Sequence, residues 1–580
     1  MNQVELGAQL RQIEDTGLIH QALGQPDLAY LFKHELVQDA VYHSLLKRDR
    51  RELHRATGEV LERLAGNRLE ENAATLGHHF HEAGDAVRAC KYYRLAGDHA
   101  RRQYAIPEAL LHYTRAIELA AGDDAMLGAA LPSLYRLRGL VYESQGIFAS
   151  ARADHELALR KARELGDAQA EWRSLLDLGM LWAGQDYVRT GEYYQQAFAQ
   201  ATAMGSDANL AHALNHLGNW HVNLNRPGEG IRFHLQALEI FERLQDEASM
   251  AASLDFLGMA SCLATNLAAG KRYYQRAIAL FRRLGDLTGL SSSLATMPFA
   301  SAIVFVESCS PAAGMPEVLG CALEAVQVAR EAHRRDAEAY ALCTLSECHG
   351  CLGDYKQAWD AATAALTIAR EIDHRQWLCL AHQVLGHLLA RLTQMDRARQ
   401  HLEQARLLAE ELGSINFDLA IAGSMLSLQV AGGELASAQA LLDGIPKAHL
   451  QVESIGQCSV LEGWAELALA QARPHQALEI IDRLDQTRNQ PGPALRVSWR
   501  VAYLRGQALM QLMQPEAAEV ALQAAYGEAL AQAIRPAQQL ILLALAQLRQ
   551  QQGRGADSDA RRFRADADRL EQELAFQPPE

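Results

Sequence analysis

The chain has 580 residues, 49% of them hydrophobic and only 15 of them proline, which excludes a disordered chain and leaves room for several domains or one long solenoid. Its formal net charge of −15 repels a phosphate backbone, so nucleic-acid binding would need a local basic patch. The nine cysteines are odd in number and lie mostly inside helical patterns, as buried hydrophobes of a reducing compartment do. The start, Met1-Asn2-Gln3-Val4-Glu5, lacks the basic and apolar regions of a secretory signal. No apolar run approaches the ~18 residues of a membrane span, so a cytoplasmic helical protein without a membrane partner is expected.

Residues 1–66 differ from the rest of the chain. Leu6, Leu10, Ile13 and Leu18 give one helical face, and Leu28-Ala29-Tyr30-Leu31-Phe32 reads as a short extended run. The block from Phe32-Lys33-His34-Glu35-Leu36-Val37-Gln38-Asp39-Ala40-Val41-Tyr42 through Arg51-Glu52-Leu53-His54 resembles the segment after the nucleotide-binding core of bacterial STAND-type ATPases. That family includes regulators linked to class III nucleotidyl cyclases and LuxR-type output domains. The resemblance implies a winged-helix module handing over to a repeat array. A departure limits it: the chain has no G-x-x-x-x-G-K-[ST] loop, so the cradle and lysine for nucleoside triphosphates are missing. The chain is expected to be a stand-alone sensor arm or the C-terminal piece of a larger ATPase or cyclase regulator.

From residue 67 the chain repeats itself. Tyr93/Ala96 and Tyr113/Ala116 share one spacing 20 residues apart, which leaves the pairing of the first helices open. The regular stretch runs from Leu165 to Asp286. Leu-Gly pairs at Leu178-Gly179, Leu217-Gly218 and Leu257-Gly258 recur every 39 to 40 residues. Each is followed by a bulky residue three before an alanine: Tyr194/Ala197, His234/Ala237 and Tyr274/Ala277. The copies meet at Leu165-Gly166-Asp167, Gly205-Ser206-Asp207, Leu244-Gln245-Asp246 and Leu284-Gly285-Asp286. Small residues let helix A and helix B of a unit approach closely; glycine caps helix B, and the polar residue after it caps the next helix A. Arg163, Arg243, Arg282, Arg283 and Arg370 fall in last turns of B helices, where they favour the negative end of the dipole.

The unit resembles a tetratricopeptide (TPR) repeat, lengthened from the usual period of about 34 residues. Elongated units of this kind resemble those of the MalT-type sensor region in LuxR-family STAND activators, where the superhelix senses and docks. Further copies lie at Leu345-Ser346 with Ala362/Ala365 and Leu385-Gly386 with Leu402/Ala405. The expected fold is an all-α, right-handed α-solenoid of tetratricopeptide-like helix pairs with a period of about 40 residues. Its regular part spans 67–306, an inserted loop 307–316 comes next, and the array continues over 317–432. Residues 433–555 read as degenerate repeats, with a weak point at Asp485–Pro493, and 556–580 as a polar capping helix whose Gln577-Pro578-Pro579-Glu580 end frays.

Candidate chemistry is sparse. His78, His79 and His81 form a cluster without the spacing of a metal site, and Cys348-His349-Gly350-Cys351 lacks a second ligand pair. Lys47-Arg48-Asp49-Arg50-Arg51 is the densest basic run, but interspersed acids make it a solvated face. No catalytic residue, metal or cofactor is expected, and nucleic acid is not an expected partner. The weaker alternative is a DNA-binding regulator using residues 30–55.

The polar positions of helix A carry the functional expectation. His212, Asn215, Asn219 and Asn223 point away from helix B, with Arg173 before them and Asp255, Glu347, Gln383 and His387 after. In tetratricopeptide arrays helix A lines the concave surface, so these residues would form a groove floor for a protein, a peptide or a small effector. The chain thus reads as a non-catalytic interaction and sensing scaffold of bacterial signal transduction. If the groove binds through them, changing Asn215 and Asn219 together to Ala weakens capture and leaves the melt nearly unchanged.

Overall fold

The computed structural model describes residues 3–21, 30–122, 125–301, 309, 311–485, 498–552 and 557–579. Leu28, Ala29, residues 302–306 of the regular part, residues 307, 308 and 310 of the inserted loop and the Gln486–Pro493 part of the weak point lie outside them. The chain divides into two compact units, 1–141 and 142–580. Apart from one two-stranded hairpin, the described elements are helices.

The first unit opens with α1 (Gln3–Asp15) and an antiparallel hairpin of β1 (Ile19–Gln21) and β2 (Tyr30–Phe32), with Ile19 opposite Phe32. Next come α2 (Glu35–Ser44), α3 (Lys47–Ala65), α4 (Ala73–Glu82), α5 (Ala86–Arg102), α6 (Ile106–Ala120), the single turn α7 (Ala125–Gly128) and α8 (Leu131–Ser144), whose last residues pass the unit boundary. The 20-residue spacing has a steric origin. A Cβ on Gly77 of α4 would lie 2.8 Å from the Tyr93 ring of α5, and one on Gly97 of α5 would lie 2.6 Å from the Tyr113 ring of α6. Helix α5 therefore presents its bulky residue backwards and its small residue forwards, and it serves both neighbours.

The second unit begins with α9 (Phe148–Leu165) and continues as antiparallel pairs, even-numbered A helices followed by odd-numbered B helices. They are α10 (Ala168–Ala183) and α11 (Tyr187–Met204), α12 (Asp207–Asn223) and α13 (Pro227–Leu244), α14 (Glu247–Leu263) and α15 (Leu267–Leu284), and α16 (Leu287–Thr296) and α17 (Met315–Glu331). Next come α18 (Arg335–Leu352) and α19 (Tyr355–Glu371), α20 (Arg375–Arg391) and α21 (Met395–Leu412), and α22 (Ile415–Ala431) and α23 (Leu435–Gly444). The last are α24 (Ile455–Ala470) and α25 (Pro474–Asp485), α26 (Trp499–Gln511) and α27 (Pro515–Ala531), and α28 (Arg535–Gln552) and α29 (Asp557–Glu573). The fold is an all-α solenoid.

The recurring residues do what their spacing requires. A Cβ on Gly179, Gly218 or Gly258 would fall 2.3, 2.6 and 2.6 Å from Tyr194, His234 and Tyr274, so only glycine admits these rings. Gly386 under Leu402 and Gly506 under Leu522 repeat the arrangement with an aliphatic partner. B helices end in left-handed residues, Gly166, Gly205 and Gly285 at φ 66, 62 and 69°, with Gln245 at 56° doing the same task. The next A helix is capped at once. The carboxylates of Asp167, Asp246 and Asp286 accept from the amides of Ala170, Ser249 and Gly289 at 2.9, 3.1 and 3.0 Å. In the second copy Ser206 is the cap, accepting from Asn209 at 3.4 Å, and Asp207 becomes the first helical residue.

The solenoid winds back upon itself after five helix pairs. Helix α12 packs on α22, α14 on α24 and α18 on α28, each ten helices further along the chain. Gln185 Nε2 donates to the Asp373 carbonyl at 2.6 Å, and Ser414 Oγ to the Asn223 carbonyl at 3.4 Å. The last pair closes the final turn: Arg535 donates to the Leu352 carbonyl and pairs with Asp354. Leu574 lies over Gly353 (φ +82°) and packs with Tyr355, Ala358 and Leu388. Residues 574–579 pack on the helices where the sequence suggests a frayed end. Leu574 and Pro578 are buried and Phe576 packs beside them, while Arg397 Nη2 donates to the Pro579 carbonyl at 3.0 Å. Alternate residues of an extended tail meet the helices, so burial holds it down.

Gly258→Ala must push its methyl into the fully buried Tyr274 ring. It is expected to lose about 1–3 kcal/mol, read as a lowered midpoint in urea with helicity retained; an unchanged midpoint contradicts the interlock.

Candidate functional site

Each polar residue expected on the groove floor sits on an A helix, and most are already bonded. Asn215 is 3% exposed. Its Nδ2 donates to Ser253 Oγ of α14 at 2.8 Å, and its Oδ1 lies 3.1 Å from His234 Nδ1. Asn219 offers its carbonyl to Asn223 Nδ2 at 3.0 Å. The His212 ring packs between Trp172 and Phe241, and burial lowers its pKa, with Asp246 opposing and Arg173 assisting. Arg173 is exposed. Asp255 accepts from Ser292 and Ser293 of α16 at 3.0 and 2.6 Å; burial raises its pKa to about 6 against those two bonds. Gln383 is buried, and neither of its amide atoms is paired among the described residues.

These bonds form a ladder. Asn209 to Gln169, Asn215 to Ser253, Asp255 to Ser293 and His387 to Glu347 join each A helix to the next, 40, 38, 38 and 40 residues apart. The polar stripe of helix A therefore fixes the register of successive repeats. Four of the nine residues named from the sequence, Asn215, Asp255, Glu347 and His387, are rungs placed between helices.

The structure does bring two of them together. Glu347 Oε1 of α18 lies 3.2 Å from His387 Nδ1 of α20, and His387 Nε2 lies 2.7 Å from Ser424 Oγ of α22. His387 and Ser424 face an open cavity of about 680 Å³ lined mainly by α20, α22, α24, α26 and α28. This volume falls in the range of ligand sites, roughly 300–1,000 Å³.

The opposite part of the lining holds residues that the sequence patterns do not single out. Glu462 and Glu466, one turn apart on α24, both pair with Arg500 at the start of α26, Glu462 at 2.8 Å. All three side chains are less than one-fifth exposed. The guanidinium lies 5.5 Å from the Trp499 ring and 6.0 Å from the Tyr503 ring. Burial pushes the Tyr503 phenol upward, with Glu466 adding to it and Arg500 opposing. Trp499 is 4% exposed and its indole N–H has no acceptor among the described residues. Ser427, Ser459, Gln507 and Gln539 add hydroxyl and amide groups, while Leu428, Leu469, Leu540 and Leu543 supply apolar wall. One signal does exist: Glu462 and Arg500 stand 38 residues apart, the ladder spacing, within repeats that look degenerate.

The other sequence clusters are placed plainly. His54 Nδ1 of α3 lies 2.9 Å from His79 Nδ1, and the His78 ring stands 5.7 Å from that of His54. His81 packs on Tyr93. Among the described residues no group of three or more His, Cys, Asp or Glu could hold a metal ion. Cys343, Cys348 and Cys351 are buried helix-packing residues, and burial raises the thiol pKa of Cys343 and Cys348. Lys47–Arg51 lies on the exposed face of α3, with Arg48 paired to Glu52 at 3.2 Å. No helix among the described residues is long and apolar enough to cross a membrane.

Asn215→Ala leaves the buried His234 Nδ1 without its partner and removes the bond to Ser253, so it is expected to cost about 1–3 kcal/mol. A lowered melting temperature is the readout, replacing the unchanged melt expected from the sequence. Burial lowers the pKa of His234 to about 3, against about 6.5 when unfolded. The unfolded chain therefore takes up this proton first. Stability is full above pH 6.5 and falls towards acid, by up to ~1.4 kcal/mol per pH unit for this group. His234→Tyr, the residue type at the matching positions Tyr194 and Tyr274, flattens the slope of melting temperature between pH 6.5 and 4.5. An equal slope in the variant contradicts the assignment.

No protein-family model matches the chain, and no curated protein matches it. Solved structures give distant fold similarity. The apo form of RapI shares 14% identity over 49% of this chain and 98% of its own, with a TM-score of 0.39. Yeast Tom70 shares 13% over 84% and 96%, with a TM-score of 0.32. A STAND protein with a tetratricopeptide repeat sensor from Pyrococcus horikoshii shares 14% over 84% of this chain and 67% of its own, with a TM-score of 0.35. Scores at this level assign neither a family nor a function.

Proposed function

We propose that this chain is a non-catalytic interaction and sensing scaffold of a bacterial signalling system, and that its partner peptide or effector enters the cavity of the last solenoid turn. One observation carries the reading: five successive A helices line an open cavity of about 680 Å³ with both apolar and polar side chains. A solenoid that only filled space would close this lumen with side chains, as the glycine-seated rings do elsewhere. His387, with Glu347 behind it, belongs to this site. Arg173, His212, Asn219 and Asn223 remain a second candidate contact surface, and Asn215, Asp255 and Gln383 support from within.

The alternative of a fragment of a larger ATPase or cyclase regulator is compatible with the same site, since the output would lie elsewhere. A second reading rests on Glu347, His387 and Ser424, which stand in the order of acid, base and nucleophile. Against it, Ser424 lies inside α22, where backbone amides are committed to the helix and leave no pair for an oxyanion. A fluorophosphonate probe decides: no labelling that Ser424→Ala abolishes is expected, and stoichiometric labelling of Ser424 reverses the reading in favour of acyl transfer.

Ser427→Trp fills the lumen from a half-buried position. Peptides selected from a displayed library against the full chain are expected to lose at least about tenfold in affinity for this variant, with an unchanged melt. Undiminished binding places the partner elsewhere and sinks the proposal.

A further inference from the structure

We infer that the surface formed by α18 to α21 around Gly353 and Arg397 is a docking site for an extended partner segment of the pattern apolar-x-aromatic-x-Pro, and that residues 574–579 of this chain occupy it in cis as an autoinhibitory strap. The site is separate from the cavity, with which it shares Tyr355, and the inference does not rest on the cavity reading. The first ground is the way the segment lies. Leu574-Ala575-Phe576-Gln577-Pro578-Pro579 follows the end of α29 without regular structure. Leu574 and Pro578 are buried and Phe576 is half-buried, whereas Ala575, Gln577 and Pro579 are exposed. Such alternation is how a surface reads an extended peptide, with every second side chain seated.

The second ground is that residues outside the segment build the seat. Gly353 caps α18 at φ +82°, and a Cβ there would overlap Leu574 Cδ2, so the missing side chain is the space that Leu574 fills. Tyr355, Ala358 and Leu388 complete the apolar floor, with Trp359 and Leu392 at its edge. Arg397 supplies the polar end. Its Nη1 donates to Gln394 Oε1 at 2.9 Å, and its guanidinium lies 5.3 Å from the centre of the Trp359 ring. Those contacts hold the group in place while Nη2 donates to the Pro579 carbonyl at 3.0 Å. An apolar pocket and a preorganised donor for a backbone carbonyl, both on rigid helices, are what a peptide site requires. The third ground is the lightness of the hold. Among the described residues, the hydrogen bond that reaches 575–579 is the one from Arg397. Ordering this backbone costs about as much as burying Leu574, Phe576 and Pro578 gains. The strap is therefore kept seated by its tether to α29, at an effective concentration that a competing segment must exceed.

The test uses the full chain and a fluorescent, acetylated and amidated peptide of the strap's own sequence, Leu-Ala-Phe-Gln-Pro-Pro. Phe576→Asp with Pro578→Asp unseats the strap and leaves the seat intact. Polarisation is expected to show this variant binding the peptide at least about tenfold more tightly than the unaltered chain does. The same peptide with Ala in place of Phe is expected to bind at least about tenfold more weakly. Adding Arg397→Ala to the variant is expected to weaken binding about threefold to tenfold. A folded variant that fails to bind at millimolar concentration, or that binds no better than the unaltered chain, overturns the inference, and so does indifference to the loss of Phe. A second measurement needs no variant. Chymotrypsin, followed by intact mass, is expected to cut the unaltered chain after Phe576 before it cuts within α18–α21. Resistance at Phe576 until those helices unfold makes the segment a fixed part of the fold and overturns the strap. Dimers of the unaltered chain that the peptide dissociates would give the seat to the tail of a second copy and overturn the separate partner.

Discussion

The close approach of helix A to helix B is the constraint on which the rest depends. It is set by a glycine under a ring: Gly179 under Tyr194, Gly218 under His234, Gly258 under Tyr274. Because a methyl at any of these glycines would overlap the ring, the separation within each pair admits little variation. A repeated fixed separation, with caps at Asp167, Ser206, Asp246 and Asp286 setting where each helix starts, leaves one winding. That winding brings α12 onto α22 and α18 onto α28.

Once the turn closes, polar side chains on the inner face meet other helices instead of water. They are retained as partners of the next repeat, which explains the 38-to-40-residue rungs from Asn215 to Ser253 and from His387 to Glu347. Buried polar groups specify register when fully paired, because a slipped repeat would orphan them. Towards the end of the array the inner face lines an open cavity. There the same rung spacing, Glu462 to Arg500, puts charge on a cavity wall. The stripe of helix A that joins successive repeats thus also lines the cavity. Arg535, Leu574 and the extended tail close this turn against α18 and α19.

Local rules were legible in the sequence and long-range closure was not. The Leu-Gly and Tyr-x-x-Ala spacings identify the helix pairs, and the Gly-Asp steps identify their ends, because both act within 40 residues. The fate of Asn215 depends on Ser253 and His234 in neighbouring helices, and that of Asn223 on Ser414 a full turn later. A helical wheel shows that such residues point inward; it does not show whether inward is a groove or another helix. The tail misleads for the same reason: Pro578 looks like an end that frays until α19–α21 are placed beside it. Glu466 and Arg500 escape notice because their repeats have lost the glycine–tyrosine signature, though Gly506 under Leu522 preserves the packing.

The central claim is that recognition takes place inside the last turn, on A helices. Hydrogen exchange of the full chain, with and without a saturating selected peptide, tests it most directly, since ligand protection maps to the elements that close around it. The account predicts slowed exchange in α20, α22, α24, α26 and α28, with the B helices of the earlier turn unchanged. Protection confined to α10–α16, to outer B helices or to residues 1–141 would contradict it.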